Sequence, residues 1–210
     1  MTISRVLWAA LPLLAMSACA SHHRDRERPA QATAGWRAIA TPADRDRVRT
    51  WRDAWTQALA RVTSPADRAR VTGEGALFQP DAALPGPIPP PGDYRCRVTK
   101  LGGRGDGGMR YVAYPAFACR ITREADVLSL AKLGGSQRPV GLLFPDDGGR
   151  LVFLGSMTLG DEKRPLDYGR DPERDMAGLF ERVGADRWRL VLPFPRWEST
   201  LDVMELVPAG

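Results

Sequence analysis

Cys96 sits between Arg95 and Arg97 in "GDYRCRVTKL", residues 92–101, a stretch with the alternation of a strand. A cysteine so placed reads in three ways: a thiol whose pKa is lowered by positive charge, a metal ligand, or half of a disulfide. Cys119 is within reach in "AFACRI", and no Cys-x-x-Cys spacing exists to support a thioredoxin-like motif or a zinc knuckle. The only histidines are His22 and His23 near the amino terminus. Ser-His-Asp hydrolysis, Cys-His catalysis and histidine-held zinc or iron are therefore excluded from the body of the chain.

Carboxylates remain. The pairs Asp161/Glu162 and Glu198/Asp202 offer the two acids a glycosidase needs, although surface acids at such spacing are common. Asp171, Glu173 and Asp175 alternate in "GRDPERDMAG" in the manner of calcium ligands, but no glycine falls where an EF-hand loop needs one. "GGRGDGG" lacks the Lys-Ser/Thr of a phosphate loop and reads as a hairpin turn. No metal site and no cofactor follows from these motifs. The most suggestive segment is "PFPRWEST", residues 193–200, in which Trp197 lies between Arg196 and Glu198. It offers a stacking surface and opposed charges for a small ligand or a peptidoglycan sugar at a barrel mouth; otherwise Trp197 simply closes the barrel end. Trp188 is the second aromatic candidate for such contact.

Where the chain resides decides the cysteine question. Arg5 precedes the apolar run "VLWAALPLLAM", which is shorter than the ~20 residues a membrane helix needs and matches a signal-peptide core. "LLAMSACAS" resembles a bacterial lipoprotein lipobox, which implies cleavage before Cys19, lipidation of Cys19, and a membrane anchor of several acyl chains, each buried methylene adding ~0.8 kcal/mol. Ala20 lacks the aspartate that, by resemblance to sorting signals, retains such proteins at the inner membrane, so the outer membrane of the cell envelope is the expected location. With Cys19 lipidated, Cys96 and Cys119 are left as a pair in an oxidising compartment. A bridge between them is the simplest reading and would stabilise by ~3 kcal/mol.

The formal charge is +5, with 11 Lys+Arg against 7 Asp+Glu over residues 19–78 and 18 of each over residues 79–210. A neutral body argues against a nucleic-acid partner, while the basic excess suits a solvated tether beside an anionic lipid surface.

Those residues need elements to position them. After a signal peptide (1–18) and a tether (19–35), "TPADRDRV" and "SPADRARV" both place a hydroxyl cap, a proline at the first helical position and an acid three residues after the cap, so a helical element is expected over 36–78. Val48, Trp51, Trp55, Ala58, Leu59 and Val62 form one apolar face of the first helix, read as core rather than as a ligand platform. A proline-rich connector (79–92) leads into short apolar segments at 93–101, 110–122, 126–133, 138–145, 150–159, 174–184, 187–194 and 200–207. This spacing predicts a mainly β domain over 93–208, an antiparallel, partly closed β-barrel of about eight strands. Trp188, Leu190, Leu192 and Phe194 are expected on one face of the last hairpin, with Arg187 and Arg189 on the other. A tight "GDGG" turn would set Cys96 opposite Cys119 and Val98 opposite Phe117, with a bulge at Pro115 easing the bridge.

"WRAIATPADRDRVRTWRDAW", "DAALPGPIPPPGDYRCRV", "YVAYPAFACRI", "GSQRPVGLLFPD" and "RDPERDMAGLFERVGADRWRLVLPFPRWESTLDVMELVP" together resemble an alphaproteobacterial exported family, domain of unknown function 4893, over residues 36–207. The resemblance implies export and transfers no catalytic residues. The sequence thus points to a lipid-anchored envelope protein that binds an apolar or glycan ligand or an envelope partner without catalysis. A carboxylate-dependent cell-wall glycan hydrolase and a lysozyme-type inhibitor are the alternatives.

Overall fold

The structure, a computed structural model, describes residues 35–105, 108–146 and 149–210. The expected signal peptide, Cys19, His22, His23 and almost all of the tether lie outside the described residues.

Both predicted caps form. Thr41 accepts the Asp44 amide at the head of α2 (Pro42–Arg49), and Ser64 accepts the Asp67 amide at the head of α4 (Pro65–Gly73), each helix opening on its proline. A short α1 (Trp36–Ile39) precedes them, and α3 (Trp51–Arg61) lies between. The first helix, expected to carry Val48 to Val62 on one face, breaks at Thr50, yet that apolar face survives the break: Val48, Trp51, Trp55, Ala58 and Val62 are all buried. A 3-10 turn, Gly75–Phe78, leads into the connector.

Nine strands follow: β1 (Gly92–Leu101), β2 (Tyr111–Ala113), β3 (Phe117–Glu124), β4 (Val127–Lys132), β5 (Gln137–Pro145), β6 (Leu151–Leu159), β7 (Asp175–Gly184), β8 (Arg187–Pro193) and β9 (Leu201–Pro208). Successive strands from β3 to β9 pair antiparallel, and β9 pairs back onto β1, so eight strands close a barrel and β2 is an extra strand on β1. Followed around the pairing register from Lys100, the line returns to β1 ten residues away, level with Pro90. Such a stagger goes with strands tilted by roughly 35–45° and an interior narrow enough for side chains to fill.

They do fill it. Leu130, Leu143, Phe153, Phe180, Leu190, Met204 and Leu206 form one buried cluster inside the barrel. Phe153 lies over the cross-strand pair Gly141 and Gly155, whose missing side chains leave the space its ring occupies: a Cβ on Gly141 would stand 2.8 Å from that ring. A second cluster lies outside, where the helical layer packs on outward residues of β6 to β9 such as Val152, Leu154, Leu179, Val191 and Val203. These strands are buried on both faces, which is why "LVFLGSMTL" shows little alternation.

Polar pins cross the same interface. Arg189 is fully buried, pairs with Glu181, and donates to the carbonyls of Ala76, Leu77, Gln79 and Pro80 beneath the connector. Arg150 pairs with the same Glu181. Arg97, on the outward face of β1, makes a two-pronged pair with Glu74 at the end of α4 and also holds Glu205.

The disulfide joins Cys96 to Cys119 with Cα atoms 5.9 Å apart, but not in the expected register. Cys96 stands opposite Phe117 and Cys119 opposite Tyr94, a slip of two residues. The centre of the expected "GDGG" turn lies outside the described residues; on its flanks the Gly102 amide donates to the Arg110 carbonyl, and the chain steps off β1 between Ala113 and Phe117, around Pro115. Because side chains alternate with period two, an even slip keeps Tyr94, Cys96, Cys119 and Ile121 facing inward, and the bridge forms diagonally.

Candidate functional site

One end of the barrel is built differently from the rest. The inward series of β1 runs Tyr94, Cys96, Val98 and then Lys100; that of β4 runs Leu128, Leu130 and then Lys132; that of β9 begins at Asp202 before Met204 and Leu206. The three strands therefore place two ammonium groups and one carboxylate in the same mouth. All three residues are less than 10% exposed.

Lys100 Nζ lies 3.1 Å from Asp202 and 3.0 Å from Glu198, so a single lysine draws together the two carboxylates noted in the sequence. Ser199 Oγ donates to the other Asp202 oxygen. Burial raises the Asp202 pKa, and the Lys100 charge offsets part of that rise. Burial alone would lower the Lys100 pKa, but Asp202 and Glu198 outweigh it and the net direction is up. Lys132 differs: burial, with the nearby charges of Arg138 and Lys100, pushes it down to about 8.

The segment from Phe194 to Thr200 forms the rim. Trp197 is half-buried against the interior cluster, while Arg196 and Glu198 are exposed. Phe194 (φ 47°) and Glu198 (φ 66°) both hold left-handed backbone, which disfavours residues with a Cβ. Arg104 keeps the loop in that shape. Its guanidinium donates to the carbonyls of Pro195 at 2.7 Å, Arg196 at 3.1 Å and Ser199 at 3.1 Å, and its amide donates to the Glu198 carbonyl. Arg196 makes a two-pronged pair with Glu173, tying the rim to the turn before β7. Beneath Trp197, among Lys100, Met157, Met176, Leu192 and Asp202, lies a cavity of ≈ 30 Å³, room for one or two waters where a small-molecule site takes about 300–1,000 Å³.

Trp197, Arg196 and Glu198 thus come together at a barrel mouth, as expected. Trp188 does not join them. It is buried toward the opposite end, edge-on to Tyr94 at 6.1 Å, because it begins β8 whereas Trp197 follows that strand's end. Phe194 also leaves its expected face: β8 stops at Pro193, and the left-handed turn sends Phe194 to the outer cluster. The alternating acids before β7 go separate ways, Asp171 accepting the Glu173 amide, Glu173 holding Arg196, and Asp175 accepting the Gly169 amide. Glu162 is held by Arg174. Among the described residues no group of three or more metal-binding side chains occurs.

Sequence reasoning missed the two lysines and Arg104. The lysines had a signal: each ends an inward series that is otherwise apolar. Arg104 had none, since its contacts lie more than ninety residues away in the chain.

Compared with known proteins, the chain matches the family model described as "Domain of unknown function (DUF4893)" over residues 36–206. No curated protein and no solved structure shows significant similarity.

Proposed function

The chain belongs to the DUF4893 family, and we propose that it is a non-catalytic binding module of the cell envelope, anchored through lipid on Cys19, that meets a glycan partner at the rim formed by Trp197, Arg196 and Glu198. The observation that carries this reading is the rim itself. Two residues with side chains are held in left-handed backbone by Arg104, and the strain this costs is spent on an exposed loop rather than on the core. A pre-shaped surface of this kind loses little freedom on binding, and a tryptophan flanked by opposite charges suits the apolar face and hydroxyls of a sugar. Among the described residues the barrel interior is filled by packed side chains, which favours contact from outside.

The purified mature domain is expected to co-sediment with isolated peptidoglycan, and Trp197→Ala to reduce the bound fraction about tenfold, the value of one stacking contact. Absence of co-sedimentation with the folded wild type would remove the reading. Membrane fractionation tests the anchor separately, with Cys19→Ala expected in the soluble fraction.

A second reading has one specific observation in its favour. Glu198 and Asp202 share Lys100, the close approach of two acids that a retaining glycosidase needs. Against it, both acids are engaged by that lysine and the cavity beneath them cannot admit a sugar ring. Product analysis of the same incubation separates the readings: released fragments that disappear in Glu198→Gln would establish hydrolysis.

A further inference from the structure

Among the described residues no cluster of histidine, cysteine or carboxylate ligands forms, but thioether sulfur is a ligand of another class, uncharged and selective for soft ions such as Cu(I). Of the methionines in the described residues, Met109 is exposed, while Met157, Met176 and Met204 are buried in the barrel interior. Met157 and Met176 both line the cavity of ≈ 30 Å³ beneath Trp197; Met204 does not. The pairing of β6 with β7 sets the two side by side. Met176 stands opposite Gly155, which presents no side chain, and the Met157 amide donates to the Arg174 carbonyl. The two methionines are therefore diagonal neighbours on one inward face, about 7–8 Å apart and within reach of each other's long side chains. A core methionine ordinarily fills the gap it borders, because its rotatable bonds adapt. Here a gap persists beside two of them. It holds one or two waters, or a single metal ion, and excludes anything larger. Trp197, half-buried, lines the same cavity, and an indole attracts a nearby cation. The cations among its walls do not oppose this, since Lys100, Arg47, Arg174 and Arg196 are each held by a carboxylate.

We propose that Met157 and Met176 form a site for one soft monovalent cation of the Cu(I) class, with Trp197 beside it. Each thioether sulfur gives a lone pair to the metal; no proton is released and no electron is transferred. Soft monovalent ions accept low coordination, so two sulfurs and an adjacent ring suffice where zinc takes four ligands. The site shares Trp197 with the glycan rim but rests on the two sulfurs, so neither reading depends on the other.

The test uses the mature chain carrying Cys19→Ala, whose other cysteines are joined as a disulfide so that no thiol competes. Protein labelled with ¹³C at the methionine methyls is titrated with silver nitrate in chloride-free buffer, Ag(I) representing the soft monovalent class without redox chemistry. The expected result is saturable shifts of the Met157 and Met176 methyls, with exposed Met109 unmoved and no response of the pair to zinc. Replacing both by leucine, Met157→Leu with Met176→Leu, nearly conserves volume and is expected to remove one bound Ag(I) per chain by native mass spectrometry. If that double variant does not fold, the methyl spectrum of the unsubstituted pair decides alone. Shifts at Met109 only, equal shifts with zinc, or none at Met157 and Met176 would overturn the proposal, and none of these outcomes bears on co-sedimentation with peptidoglycan.

Discussion

The two ends of the barrel contrast in chemistry and in strain. Toward one end, Tyr94, Cys96, Cys119 and Trp188 form an apolar plug closed by a disulfide and an edge-on aromatic pair. The other end buries Lys100, Lys132 and Asp202 beneath a loop with two residues in left-handed backbone. Both are inward faces of the same strands, so the difference comes from which residues end each inward series and not from topology. The plug serves stability, and the mouth spends some of it.

Substitutions can break that contrast. Trp188→Ala should cost about 3–5 kcal/mol by opening a cavity in the plug, seen as a large drop in the denaturant midpoint, with glycan co-sedimentation intact wherever the domain stays folded. Replacing both cysteines by serine should cost ~3 kcal/mol, since the bridge spans 23 residues; thermal melts with and without reductant should reproduce the loss in the wild type alone. If either change abolished binding in folded protein, the ends would not be independent.

Smaller effects sharpen the contrast from the mouth's side. Lys132 is held at about 8 against an ordinary 10.5, so the folded chain binds that proton more weakly than the unfolded chain does. Stability contributed by this site therefore rises with pH between about 8 and 10.5, by at most about 3 kcal/mol, and Lys132→Met should flatten that slope in melts across the range. Smallest of all, Glu198→Gly should change stability by less than about 1 kcal/mol, because relief of the positive φ offsets loss of a half-exposed bond to Lys100. Binding should nonetheless fall, since the loop then loses its fixed shape.

The plug was far more legible in the sequence than the mouth. Strand positions follow from alternation, helix starts from Thr41-Pro42 and Ser64-Pro65, and the inward position of both cysteines from parity alone. The register between β1 and β3 was missed by two because it depends on the interposed β2 pairing and the step around Pro115, which local pattern does not encode. Trp197 was legible as a rim residue because it lies between two strand signals. That Trp188 lies apart from the rim was not legible, because aromatic character does not reveal which end of a strand opens to solvent. The charges of Lys100 and Lys132 became meaningful only once closure of β9 onto β1 placed their strands around one interior.

Amide chemical-shift mapping with soluble peptidoglycan fragments tests the central claim most directly, because it locates contact on the folded wild type without any substitution. The account predicts saturable shifts confined to residues 194–200 and the Arg104 segment that braces them, with the Trp188 and disulfide region unchanged. Shifts centred on the interior of the barrel or on the helical layer, or none at saturating fragment, would contradict it.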